Sequence, residues 1–87
     1  MLTAEACRAG RALLGWGLDD LATASGIAAG TLSRFENGRP MRRASVERVL
    51  TAFARHQVEI IHAEDRTGAQ LLFACRRAPS ERGLADD

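Results

Sequence analysis

The sequence predicts a mainly α domain, four to five helices closed by a C-terminal β-hairpin. Three observations predict it. Apolar residues recur at i, i+3, i+4 spacing in successive segments up to about residue 55. Two of those segments are short and meet at Gly26. After Gln57 the period changes, and aliphatic runs alternate with turn-forming residues. The 87 residues fit one small domain with a modest core. It divides into a helical unit at 1–57, a hairpin at 58–78 that serves dimerisation or packing, and a polar tail at 79–87.

The first helix is expected over 3–14. Thr3 is a good N-cap, and Glu5 lies in the first turn, where the helix dipole favours negative charge. Leu2, Ala6, Ala9, Leu13 and Leu14 supply its apolar face, with Cys7 at the edge. Gly10 lowers helix propensity by about 1 kcal/mol relative to Ala, which close helix packing would offset. Gly15 ends the helix, and Trp16 reads as a hydrophobic plug over the corner that follows. The second helix, about 18–25, has Gly17 as its N-cap, without a side-chain acceptor. Asp19 and Asp20 then either compensate the dipole or form an acidic patch for a protein partner.

Gly26 enters the left-handed conformation without steric cost and stops this helix. The third helix is expected at about 28–36, with Leu32 and Phe35 inward. Ala29, Gly30, Ser33 and Arg34 then form its outward face, and Thr31 supports the turn, caps its neighbour or bonds a phosphate. Asn37-Gly38 and Pro40 end it. The fourth helix starts near Ser45, its N-cap, and carries the stripe Val46, Val49, Leu50, Phe53, Ala54. Strands are expected at 58–62 and 69–75, with a turn at 63–68. A lone hairpin is marginal in water and its edges invite pairing, which favours strand pairing or packing between two chains over packing on the same chain's helices.

Two helices joined by a tight Gly turn form a helix-turn-helix candidate, whose second helix would enter the DNA major groove. Leu21-Ala22, Gly26-Ile27 and Thr31-Leu32-Ser33-Arg34-Phe35-Glu36-Asn37-Gly38 resemble the helix-turn-helix of the Cro-like phage-repressor (XRE) family. Arg11-Ala12-Leu13-Leu14-Gly15-Trp16 resembles the first-helix segment of bacterial members, and the likeness covers roughly residues 3–55. It implies a lambda-repressor-like fold and double-stranded DNA as partner. Ala29, Gly30, Ser33 and Arg34 occupy its base-facing places; Arg34 would bind guanine O6 and N7, a contact that discriminates by about 1–3 kcal/mol. The resemblance also implies an Arg11–Glu36 pair locking the third helix to the first. Arg39, Arg42 and Arg43 would grip phosphates, joined by the backbone N–H groups of Asn37 and Gly38 and the Asn37 side chain. Where the family's second helix begins with Ser and Gln, this chain has Gly17 and Leu18.

Net charge is only +1, yet distribution matters more than the sum. Arg34, Arg39, Arg42, Arg43, Arg48 and Arg55 face only Glu36 and Glu47 between residues 34 and 55. Cys7 and Cys75 read as free thiols, and His56, His62 and Cys75 lack metal-site spacing, so no metal or cofactor is expected. With no signal peptide and no membrane span, the expected location is cytoplasmic. No nucleophile with a neighbouring base, no catalytic carboxylate pair and no phosphate-cradling Gly loop argues for an enzyme. The leading expectation is a transcriptional regulator, such as a repressor, that binds a pseudo-palindromic operator as a homodimer. The alternative is a protein-interaction module on the same fold, antitoxin-like or docking on RNA polymerase through Asp19 and Asp20.

Overall fold

A computed structural model describes residues 2–63 and 65–71. Four helices precede a two-stranded antiparallel hairpin: α1 (Ala4–Leu14), α2 (Leu18–Ser25), α3 (Ala29–Glu36), α4 (Arg43–Arg55), β1 (Val58–Ala63) and β2 (Arg66–Leu71). The mainly α class with a closing hairpin therefore matches the expectation. The continuation of the second strand through Cys75, the free thiol of Cys75, and the tail at 79–87 lie outside the described residues.

Local chemistry explains most boundaries. The Thr3 hydroxyl accepts from the Ala6 N–H at 3.0 Å and caps α1. Gly26 sits at φ 75 and its N–H returns to the Ala22 carbonyl at 2.9 Å, closing α2. Gln57 takes φ 62 after α4, a left-handed turn that redirects the chain into β1. Helix α4 departs from expectation. It begins at Arg43, so Ser45 lies inside its first turn and caps nothing; its N-cap, Arg42, offers no side-chain acceptor. Propagating one more turn toward Pro40 satisfies the Val46 N–H through the Arg42 carbonyl at 2.9 Å. The hairpin also differs. Strand β1 runs to Ala63 and β2 starts at Arg66, so the connection is shorter than the turn expected at 63–68. Thr67 and Gly68 join the ladder opposite His62 and Ile61, extending the pairing the sequence assigned to a loop.

The core collects Ala6 and Cys7 of α1, Leu21 of α2, Leu32 of α3, and Val49, Ala52 and Phe53 of α4. The face of α1 is rotated from the one expected. Cys7 is fully buried rather than at an edge, Gly10 is buried, and Leu13 is 41% exposed. The reason is Phe53: a Cβ placed on Gly10 would lie 2.8 Å from two atoms of its ring. Gly10 is thus the point where α1 accepts the aromatic ring of α4. Gly10→Ala should destabilise the domain by about 1–3 kcal/mol through overpacking, despite the better helix propensity of Ala. Thermal unfolding checks this, and an unchanged or raised Tm would refute the packing role. Trp16 stacks on Phe53 at a 6.2 Å centroid distance and meets His56 edge-on at 4.8 Å, plugging the α1–α2 corner with partners from α4.

The hairpin packs on α1 and α4 of its own chain. Val58, Ile60, Ala69 and Leu71 face the core, alternating with Glu59 and Gln70, which bond to each other across the outer face. A 2.7 Å hydrogen bond between the Thr3 and Thr67 hydroxyls pins its turn end to the start of α1. The inner face of the hairpin is thus seated on its own chain's helices. No helix among the described residues is long and apolar enough to cross a membrane.

Candidate functional site

Helices α2 and α3 follow one another through the three-residue connection Gly26–Ala28. The turn is stiffened by Ser25, whose buried hydroxyl donates to the Leu21 carbonyl at 2.7 Å and accepts from the Ile27 N–H at 3.3 Å. Leu21, Ile27 and Leu32 lock the two helices over the core. Phe35 is only half-buried and packs on the core's margin.

The end of α3 is fixed from α1. Arg11 grips Glu36 with both sides of its guanidinium fork, Nε to Oε2 at 2.9 Å and Nη2 to Oε1 at 2.7 Å. Its third nitrogen donates to the Trp16 carbonyl at 3.0 Å. The pair the resemblance implied is present, but it is not a surface pair: the Glu36 side chain is 6% exposed and that of Arg11 19%. Arg8, one turn earlier on α1, donates to the Glu36 carbonyl and so caps the negative end of α3. The sequence reading missed Arg8; its i, i+3 spacing from Arg11 was the available signal. Burial pushes the Glu36 carboxyl upward. Hydrogen bonds from Arg11 and the Cys7 thiol, and the charges of Arg11 and Arg8, outweigh it and hold the carboxyl below its ordinary value. Burial, followed by the bond to Glu36, pushes the Cys7 thiol far up, so it stays protonated.

Beside this anchor an open groove of about 400 Å³ runs between the start of α3 and the start of α4. Thr31, Arg34 and Arg42 line it, with Gly26, Ala28 and Ser45 among the remaining wall residues. No acidic residue contributes among the described residues. The two helix N-termini at the groove are bare as well. Neither α3 nor α4 has an acidic residue in its first turn or a side-chain cap. The contrast within the chain is sharp: Glu5 occupies the first turn of α1, and Asp19 and Asp20 that of α2. Asp20 uses its carboxylate to accept the Gly17 N–H at 2.9 Å, so it caps α2 in place of the missing N-cap side chain. Both aspartates sit in the first turn of α2, about 9–10 Å along the helix from Gly26.

The structure brings only some expected site residues together. Gly30 lies under Arg34, whose Nη1 is 3.5 Å from the place of a Cβ there. Ala29 and Ser33 are half-buried on α3 and do not line the groove, nor do the exposed Arg39 and Arg43. Arg39, Arg42 and Arg43 form no ion pair among the described residues. The Asn37 N–H bonds to the Ser33 and Arg34 carbonyls, the Gly38 N–H to Phe35, and the Asn37 amide nitrogen to Ser33 at 2.8 Å. The two backbone donors terminate α3, because the orphan carbonyls of a helix end claim the nearest N–H groups first, while the exposed Asn37 amide uses one of its two N–H groups on Ser33. No group of three metal-ligating side chains occurs among the described residues.

Compared with protein-family models, curated proteins and solved structures, the chain finds no match.

Proposed function

We propose that the protein is a DNA-binding transcriptional regulator of the Cro-like helix-turn-helix kind, in which α3 enters the major groove and the groove edge beside it follows the phosphate backbone. The observation that carries this reading is the groove between two uncapped helix N-termini, lined by Arg34 and Arg42 and by no acidic side chain among the described residues. A helix N-terminus holds partial positive charge, and an arginine beside it is electrostatically unfavourable unless an anion arrives. Arg39, Arg42 and Arg43, unpaired among the described residues, add positive charge in the loop and helix start that follow α3. Arg34 on the exposed face of α3 supplies base contact, and the basic loop supplies salt-dependent affinity.

An α3 of eight residues spans about two turns and reads few bases, which motivates a homodimer on a pseudo-palindromic site with recognition helices about 34 Å apart. The alternative, a protein-interaction module, loses part of its motivation because Asp20 has a capping role. Titrating the protein against randomised duplex DNA at low salt tests the reading. Retained duplexes with a shared two-fold motif are expected. No retention at low salt, together with capture of a protein partner through Asp19, would favour the interaction module.

A further inference from the structure

We propose that Thr31 is a positioning residue for Arg34, holding its guanidinium as a preset reader of guanine. This rests on the DNA-binding reading above and specifies its ligand chemistry as a guanine edge in the major groove.

Side chains on a helix tilt toward its N-terminus, so Arg34 covers the turn that holds residues 30 and 31. Its Nη2 donates to the Thr31 hydroxyl oxygen at 3.4 Å. Its Nη1 lies 3.5 Å from where a Cβ of residue 30 would stand. Thr31 and Arg34 line the same groove wall. The Thr31 hydroxyl therefore holds one edge of the guanidinium against the helix.

A long, exposed arginine loses rotamer freedom on binding, which weakens a base contact. Restricting it beforehand reduces that loss. Bidentate donation to guanine O6 and N7 needs the guanidinium edge fixed relative to the helix. Once the edge is fixed, a wrong base meets misplaced donors.

Selection from a pool of randomised double-stranded DNA tests this, using the full chain. Wild type is expected to prefer guanine at one position per half-site by about five- to a hundredfold. Arg34→Ala should abolish the preference. Thr31→Val should reduce it below about threefold at that position alone; Thr31→Ser, which restores the hydroxyl, should recover it. A Thr31→Val protein that keeps the guanine preference overturns the positioning role while the DNA-binding reading stands. So does an equal loss on every sequence, which would make Thr31 a phosphate contact. Failure of wild type to retain any duplex at low salt overturns the DNA-binding reading and this inference together.

Discussion

Arg11→Ala is expected to lower the melting temperature by about 10–20 °C, the cost of about 2–3 kcal/mol in a domain of this size. The charge pair joins two elements distant in sequence, and its carboxylate is shielded from water. Truncating the arginine leaves Glu36 buried with its two oxygens short of donors, and an uncompensated buried charge commonly costs about 3–5 kcal/mol. The figure is lower here because the Arg11 side chain is 19% exposed and Arg8 stays close to Glu36. The double variant Arg11→Met, Glu36→Leu should lose less than Arg11→Ala alone, since neither charge is then stranded. Thermal denaturation followed by circular dichroism decides. A shift under about 5 °C for Arg11→Ala would show that the pair orients α3 without stabilising it.

The same pair predicts an acid limit. Glu36 is held below its ordinary pKa in the folded chain. A lowered carboxyl contributes stability that is fully present above its unfolded pKa and is lost as pH falls through the folded one. Stability should thus be flat near neutrality and decline below the ordinary glutamate range. In Arg11→Ala the largest lowering influence is gone while burial still pushes upward, so the acid-dependent loss should shrink. Chemical denaturation at a series of pH values measures both slopes. Equal acid slopes in the two proteins would assign the decline to other carboxylates.

How legible the molecule was in its sequence varied with the range of the forces involved. Helix limits set by neighbours one turn away were readable: the Thr3 cap, the Gly15 and Gly26 stops, and the Asn37 end of α3. The α4 start was not, because Ser45 looked like a cap, whereas the helix continues through two arginines with no cap at all. Buried faces depended on distant partners. Cys7 and Gly10 occupy the α1 core face because the Phe53 ring arrives from α4, and spacing within α1 cannot report that. The hairpin register escaped for the same reason, with Thr67 and Gly68 entering β2 and Thr67 bonding Thr3. At the candidate site, the sequence supplied Arg34, Thr31 and Arg42 as residues. Their convergence on one groove required the fold. Conversely, the sequence offered the Asn37 and Gly38 backbone N–H groups as phosphate donors, and only the closed helix end shows them bonded to α3 carbonyls.

Removing the basic loop should separate affinity from specificity. The triple variant Arg39→Ala, Arg42→Ala, Arg43→Ala is expected to weaken binding to selected and random duplexes alike, on the order of several hundredfold at about 0.1 M salt. Each phosphate contact contributes about 0.9 to the slope of log K against log salt, so the slope should fall by about 2.7. Stability should hardly change, because all three side chains are exposed and none is ion-paired among the described residues. Relief of repulsion at the α4 N-terminus would if anything raise Tm slightly. Single variants resolve the geometry further. Arg42 lines the groove and Arg39 and Arg43 do not. If the phosphate path follows that groove, Arg42→Ala alone should remove about one slope unit, and the other two less. Three equal decrements would indicate a backbone track across the outside of the loop, with the groove left to a base or to water. An unchanged slope in the triple variant would remove the loop from the interface and leave the positive charge at the start of α4 without a role in DNA binding.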